Sequence, residues 1–206
     1  MKILLLSPHT DDIELSMGAT IAKYMRTKAY DKDIEFDSIV FSDCGNVNLR
    51  TACIKAHESL GLYLPKILDY KVDNFPENRK NIQQVFYDLT RKKENRHYSS
   101  VFVPSRTDRH QDHNTVTNAA IRIFSHSSIF GYHKIQNYGA NHDWINLITE
   151  FDLKEKQNAI SYYGKYVKDF FRRPENARID AQAKGLLLRQ PLAETFEVIQ
   201  LRGEIW

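Results

Sequence analysis

Short apolar runs that alternate with amphipathic segments restrict this chain to a small set of folds. The first run, residues 3–6, is apolar at every position, as expected for a strand buried on both faces of a sheet. Three further strands are predicted at 36–41, 67–72 and 101–103, with helices at about 15–24, 48–60 and 76–89 between them. This alternation predicts a Rossmann-like three-layer α/β sandwich, in which helices cover both faces of a mostly parallel sheet.

The second half of the chain continues with mixed elements. A helix is predicted from 113 to about 124, a strand at 129–135, an apolar segment at 145–151, a long helix at 153–170, a helix before Gln190 and a last strand at 195–201. No repeat or linker divides the chain, and a chain of this length buries roughly 70% of its unfolded surface. One domain over residues 1–206 is therefore expected.

Composition argues against several classes of function. The net charge of +3 comes from 29 basic and 26 acidic residues that are spread over the whole length, so nucleic-acid binding is not expected. No apolar run approaches the roughly 20 residues of a transmembrane helix, and no signal peptide is evident, so a cytoplasmic location is expected. Cys44 and Cys53 are interpreted as free thiols. The oligomeric state stays open, a homo-oligomer included.

Two polar motifs each follow a predicted strand. Residues 7–12 follow the first strand, and residues 110–113 come shortly after the fourth. In a doubly wound sheet of order 3-2-1-4-5 these strands are neighbours, and the loops at their carboxyl ends share a crevice. The two motifs are therefore predicted to meet, although they lie far apart in the sequence.

The residue types in these motifs suit a metal-dependent hydrolase. His9, Asp12 and His113 form a set of two imidazoles and one carboxylate, which in zinc hydrolases leaves one position open for water. The same set also suits Fe²⁺. Either motif alone is equally well explained by capping of the following helix, and the metal interpretation rests on finding both motifs at neighbouring strand ends.

The remaining polar residues of the motifs are candidates for proton transfer. Asp11 adjoins the ligand Asp12 without being needed as a ligand, so it is the candidate general base. His110 is placed to assist the developing oxyanion or the leaving amine. Asp112 is expected to hold the other nitrogen of the His110 ring and to favour its cation.

At these residues the chain resembles the LmbE/PIG-L family of metal-dependent N-acetylglucosaminyl deacetylases. The family signature P-H-P-D-D is matched from Pro8 to Asp12, with Thr10 in place of the second proline, and a second signature, His-x-Asp-His, is matched at residues 110–113. Weaker matches lie at 50–61, 156–163 and 193–196, and Cys53 stands where the family often has glutamate. The resemblance implies the same metal ligands, base and assisting residues, and an N-deacetylase that releases acetate from an amino sugar conjugate.

Substrate contacts are less sharply indicated. The segment 130–144 mixes aromatic, amide and glycine residues as a sugar-binding loop would, with Tyr132 and Asn137 as candidates, but loop packing or a subunit contact explains it too. Arg50 is a candidate for a sugar hydroxyl or a charged aglycone, or for charge pairing at a helix terminus. Two other functions stay open: an amidase for larger acyl groups, and a non-catalytic ligand-binding domain. The latter is weakened because no G-x-G-x-x-G follows the first strand.

Overall fold

The fold is given by a computed structural model, which describes residues 1–27, 34–91, 98–137, 139–166 and 170–202. Within these residues the strands are β1 (Lys2–Ser7), β2 (Glu35–Val40), β3 (Lys66–Ile67), β4 (Ser100–Pro104), β5 (Ser128–Tyr132), β6 (Trp144–Leu147) and β7 (Ala193–Gln200). The helices are α1 (Asp12–Thr27), α2 (Val47–Ser59), α3 (Arg79–Arg91), α4 (Gln111–Ile123), α5 (Glu150–Ser161) and α6 (Pro174–Leu186), with a short 3-10 helix at Phe170–Arg172.

The described strands form one sheet in the order β3-β2-β1-β4-β5-β7-β6. The first five strands run parallel, whereas β7 is antiparallel to both β5 and β6. The predicted Rossmann-like α/β class is confirmed, as is the order of the first five strands. Because β1 and β4 pair directly, the loops that follow them leave the same edge of the sheet side by side.

The apolar run of β1 divides its side chains between two cores. Ile3 and Leu5 belong to a cluster on one face of the sheet, and Leu4 and Leu6 to a cluster on the other. All four are fully buried, as the alternation of side chains along a strand requires when both faces are covered. The strand is thus fixed at the centre of the sandwich, and the segment that follows it is fixed at the sheet edge.

Several predicted elements are shorter than expected. The strand predicted at 67–72 is only the two residues of β3, after which one isolated bridge joins Asp69 to Ser42 and the chain turns towards the carboxyl edge of the sheet. The strand predicted at 129–135 ends at Tyr132. The helix predicted at 153–170 starts earlier, because a capping box of Thr149 and Asp152 begins α5, and it ends at Ser161. Residues 167–169 of that prediction lie outside the described residues.

Two of the weaker sequence matches, at 156–163 and 193–196, contribute side chains that contact α1 at a kink. Met17 has non-helical backbone angles, and the backbone N–H groups that follow, at residues 19–20, donate to the carboxylate of Glu194 at 3.3 and 2.6 Å. Lys156 balances this buried carboxylate with a 2.6 Å ion pair. A Cβ on Gly18 would lie 3.0 Å from the Lys156 side chain, so glycine allows the close approach. Among the described helices, none has the length and hydropathy needed to cross a membrane.

Candidate metal centre and active site

Three loops at the carboxyl edge of the sheet build the site. The β1–α1 connection contributes His9, and Asp12 is the first residue of α1. The β4–α4 connection ends in the first turn of α4, which carries His113. The third loop, residues 73–75, lies between β3 and α3 and donates two backbone N–H groups to the Asp112 carboxylate. The predicted meeting of the two motifs is therefore observed.

His9, Asp12 and His113 are buried, and one atom of each forms a nearly equilateral triangle. His9 Nδ1 lies 3.2 Å from His113 Nε2 and 3.5 Å from Asp12 Oδ2, and the third side, from Asp12 Oδ2 to His113 Nε2, is 3.4 Å. Ligand atoms at zinc bond lengths of 2.0–2.1 Å in tetrahedral geometry are roughly 3.3 Å apart. The three atoms therefore have the separations of three ligands of one ion.

The hydrogen bonds at the outer ring nitrogens assign the inner ones as electron-pair donors. His113 Nδ1 lies 2.8 Å from Asp108 Oδ2, and His9 Nε2 lies 3.2 Å from Asp112 Oδ2. A carboxylate only accepts, so each of these nitrogens carries the ring proton. When the rings are neutral, the opposite nitrogens, together with Asp12 Oδ2, direct three lone pairs at one point. A cation at that point satisfies all three, and the carboxylate partner on each ring is the outer support usual for metal-binding histidines.

The pKa values in the cluster show the same demand for positive charge. Burial opposes the charged form of His9, yet hydrogen bonds to Asp112 and Asp12 raise its pKa from 6.5 to about 9. Burial likewise disfavours the His113 cation, but the charge of Asp12 raises the pKa of that ring. Burial would raise the pKa of Asp12, whereas His113 and Lys134 hold it well below its usual value. The carboxylate is therefore ionised, and the cluster favours a bound cation.

Two basic residues that the sequence did not single out contact the aspartate pair. Lys134, which follows β5, donates to Asp12 Oδ1 at 2.8 Å, so Asp12 has one oxygen for the triangle and one for the lysine. Burial alone would lower the pKa of Lys134, but the charges of Asp12 and Asp11 raise it. Arg172, in the 3-10 helix, donates through Nε to Asp11 Oδ2. Both aspartates thus have cationic partners from the second half of the chain.

The predicted pairing of Asp112 with the His110 ring is wrong. His110 caps α4, and its Nδ1 accepts the backbone N–H of Asp112 at 3.2 Å. The Asp112 carboxylate faces His9 instead and accepts the backbone N–H groups of residues 73 and 75 at 2.7 and 3.1 Å. Burial and the charge of His113 lower the pKa of His110, so the ring is neutral rather than cationic at neutral pH.

Two of the candidate substrate residues are engaged elsewhere. Arg50, on α2, pairs with Asp43 at 3.3 Å, in agreement with the charge-pairing alternative. Tyr132 is 1% exposed, and its hydroxyl donates to the Leu6 carbonyl at 2.9 Å. Because β5 is buried along its whole length, the Tyr132 side chain packs in the core and offers a substrate no free surface.

Asn137 lies closer to the site. Its Oδ1 accepts the backbone N–H of Lys134 at 3.1 Å, which stabilises the turn that carries this lysine. Both residues line an open cleft of about 440 Å³ between the β5–β6 connection and α6. Asn137 is thus a support for Lys134 and a wall of the cleft beside it.

Sequence reasoning also missed Asp108, which holds His113 and whose Oδ1 accepts the backbone N–H of His110 at 2.9 Å. Burial would raise the pKa of Asp108, but the hydrogen bond and charge of His113 lower it well below its usual value. The signal was available in the sequence, because Asp108 lies in the same loop as the second motif. Lys134 and Arg172 carried no comparable local pattern.

These features place the chain among α/β proteins that carry a His–Asp–His cluster at the carboxyl edge of a parallel sheet. The PIG-L family model, described as GlcNAc-PI de-N-acetylase, matches residues 4–124 of the 206, and the chain belongs to this family. The resemblance stated from the sequence is thereby confirmed. No curated protein matches the chain.

Solved structures with the same fold belong to proteins with different named activities. The chain is similar to N,N'-diacetylchitobiose deacetylase from Pyrococcus horikoshii, with 20% identity, a TM-score of 0.73, and coverage of 96% of this chain and 83% of that one. For teicoplanin deacetylase Orf2 in its zinc-inhibited form, the identity is 14%, the TM-score 0.71, and the coverage 95% and 97%. For GalB, the 4-carboxy-2-hydroxymuconate hydratase from Pseudomonas putida KT2440, the identity is 14% and the TM-score 0.68, with coverage of 100% of this chain and 98% of that one. At these identities the similarity establishes the fold, and the reaction has to be argued from the site.

Proposed function

We propose that the chain hydrolyses the N-acetyl group of an N-acetylglucosamine-type amino sugar conjugate and releases acetate and a free amine. The observation that carries this proposal is the triangle of His9, Asp12 and His113, with Asp11 beside it. The description of the family as a de-N-acetylase supports the reaction class, as do the two deacetylases among the similar structures. The similar structure of a hydratase gives no support to deacetylation.

The residues present fit a divalent metal ion, Zn²⁺ or Fe²⁺. His9, Asp12 and His113 would hold it, since their three lone pairs converge at ligand spacing. When bound, such an ion supplies Lewis acidity, which activates water and polarises an amide carbonyl. Lys134 keeps the second oxygen of Asp12 occupied, which favours binding through a single oxygen.

Asp11 is the proposed general base. It is buried next to Asp12, and the Arg172 contact fixes the direction of its carboxylate. It would take a proton from the attacking water and then deliver that proton to the departing amine, which leaves the enzyme unchanged after each turnover.

His110 is the proposed donor to the developing oxyanion. Its Nδ1 accepts a backbone N–H, so the neutral ring carries its proton on Nε2. The ring centre lies 4.9 Å from the ring centres of both His9 and His113, and its side chain is 35% exposed, so a substrate can reach it. A neutral imidazole donor needs no cation, in agreement with the lowered pKa of this ring.

The test is acetate release from N-acetylglucosamine conjugates by metal-loaded protein. Asp11→Asn is expected to keep the bound metal and to lose roughly 10²- to 10⁴-fold in kcat, the usual contribution of a positioned base. Asp88→Asn, which changes an exposed carboxylate on α3, is the matched control and should retain full activity. Wild-type turnover in Asp11→Asn would refute the base, and no acetate release from any conjugate would refute the reaction.

An amidase for larger acyl groups is the second candidate. The cleft lined by Lys134 and Asn137 favours it, because a longer acyl chain could occupy a cleft that adjoins the lysine in contact with Asp12. A series of substrates that differ only in acyl length separates the two candidates. Highest kcat/KM on the acetyl compound supports the deacetylase, and a maximum at a longer chain supports the amidase.

A further inference from the structure

A second group of metal-ligating side chains lies buried between α1 and α2. Glu14 comes from the first turn of α1, and Cys53 and His57 are four residues apart on one face of α2. All three side chains are 0% exposed. None of them belongs to the site proposed above, so the cluster is unexplained by the proposed reaction.

The cluster has distances close to those of a metal site. Glu14 Oε1 lies 2.9 Å and Cys53 Sγ 3.8 Å from His57 Nδ1, and one donor atom of each residue lies within 4.8 Å of the other two. With zinc bonds of about 2.0–2.1 Å to nitrogen and oxygen and about 2.3 Å to sulfur, tetrahedral ligands are roughly 3.3 Å apart for N and O and roughly 3.6 Å apart for N and S. Shifts of a few tenths of an ångström would bring His57 Nδ1 to these separations from Glu14 Oε1 and Cys53 Sγ.

An unpartnered oxygen points to a missing cation. Glu14 Oε2 is fully buried and has no hydrogen-bond partner among the described residues. A buried carboxylate oxygen without a partner is costly, and a metal ion bound by both oxygens of Glu14 would remove that cost. A carboxylate, a thiolate and a neutral imidazole also balance a divalent ion to zero net charge, which is the condition for burying it.

The surroundings of His57 agree with this assignment. Ser38 Oγ lies 2.9 Å from His57 Nε2, so the serine can accept a hydrogen bond from that nitrogen while Nδ1 faces the cluster. Tyr163 places its hydroxyl 3.2 Å from Glu14 Oε1 and donates to the Thr10 carbonyl at 2.5 Å. An ion in the cluster would therefore connect α1 and α2 directly beneath the loop that carries His9.

We propose that Glu14, Cys53 and His57 form a second, structural binding site for a divalent metal ion, zinc in the first instance. Binding would displace the Cys53 thiol proton to solvent, and the single proton of the neutral His57 ring would move from Nδ1 to Nε2, which faces Ser38 Oγ. Without metal, the His57 Nδ1 proton is shared between Glu14 Oε1 and the Cys53 carbonyl, 3.1 Å away. The alternative to the proposal is this hydrogen-bonded arrangement alone.

The first test counts metal ions per chain after growth in zinc and removal of loosely bound metal. Wild type should retain two equivalents, and His113→Ala and Cys53→Ser one each, because each variant removes one site. A single equivalent in wild type together with none in His113→Ala would overturn the proposal. The count does not depend on deacetylase activity, so failure of the proposed function leaves this result unaffected.

The second test uses cobalt, since a cobalt–thiolate bond gives a charge-transfer absorption that nitrogen and oxygen ligands do not give. The triangle of His9, Asp12 and His113 contains no sulfur, and Cys44→Ser removes the other cysteine, so a band that survives in Cys44→Ser reports Cys53. The band is expected in wild type, in His113→Ala and in the control Cys44→Ser, and should be lost in Cys53→Ser. If Cys53→Ser does not fold, cobalt-loaded His113→Ala and Cys44→Ser decide together: retention of the band in both supports the site, and its absence from either overturns it.

Discussion

Replacing Asp108 by asparagine tests whether the proposed metal ligand His113 depends on its carboxylate support. The 2.8 Å contact from His113 Nδ1 to Asp108 Oδ2 fixes which ring nitrogen carries the proton, and so directs the Nε2 lone pair at the triangle. Asparagine keeps an oxygen that can accept the backbone N–H of His110. The substitution therefore removes the charge while it changes the local fold little.

The magnitude follows from the type of hydrogen bond that is lost. Asp108 is ionised at neutral pH, because its pKa is held well below the usual range against the effect of burial. A hydrogen bond to a charged group contributes about 1.5–3 kcal/mol. At about 1.4 kcal/mol per factor of ten, metal affinity should fall by roughly 10- to 150-fold. This estimate agrees with the roughly 10- to 100-fold losses usual for outer partners of metal-binding histidines.

The assay is a competition titration of zinc between the protein and a chelator of known affinity. Asp88→Asn is the control, because Asp88 is 62% exposed and pairs with Arg91 only at 4.0 Å. It should bind zinc as wild type does. An Asp108→Asn protein that folds normally and binds zinc within threefold of wild type would refute the argument that this carboxylate orients His113.

Three further predictions concern stability, measured by urea unfolding. Lys156→Met should lower the free energy of unfolding by about 3–5 kcal/mol, because it leaves the Glu194 carboxylate buried without its cation. Adding Glu194→Gln should restore part of this loss, and a single variant as stable as wild type would contradict the argument. Gly131→Ala should lower the free energy of unfolding by about 1–3 kcal/mol, since its Cβ would lie 2.9 Å from the backbone of a neighbouring strand end. Gly164→Ala, whose Cβ would have its nearest contact at 3.5 Å, should have a smaller effect, and equal effects of the two variants would contradict the packing argument. In metal-free protein the His9 pKa is raised from 6.5 to about 9, so protonation of His9 should stabilise the folded state by up to about 3 kcal/mol. This contribution is complete below pH 6.5 and is lost as the pH rises through 9. A free energy of unfolding that does not change over this pH range would contradict the prediction.

The fold and the convergence of the two motifs were predictable because both follow from general rules of topology. A strand that is apolar at every position is expected to be covered on both faces, and in a doubly wound sheet crossover connections then place the loops after β1 and β4 side by side. The residue types at these loops suggested the His9, Asp12 and His113 set. Neither step required knowledge of side-chain conformations.

The remaining contacts depend on side-chain direction and on distant segments. Asp112 was paired with the wrong histidine because spacing in a motif does not say which way a carboxylate points, and the N–H groups of residues 73 and 75 hold it towards His9. Tyr132 was a candidate for substrate binding, but β5 is covered on both faces and buries it. Lys134 and Arg172 reach the site from segments without a periodic or motif signal.

The way in which the carboxylates are satisfied would lead the proposed metal centre to bind a single cation. Asp11 is paired with Arg172, the outer oxygen of Asp12 with Lys134, and the carboxylate of Asp112 with backbone N–H groups and the His9 ring. Each of these partners removes an acceptor that could otherwise bind a second ion or draw the ligands apart. What is left facing the centre is one oxygen of Asp12 and one nitrogen of each histidine, and these match three ligands of one divalent ion. The basic residues from the second half of the chain therefore support the proposed metal centre by pairing with the aspartates around it, although none of them would bind the ion.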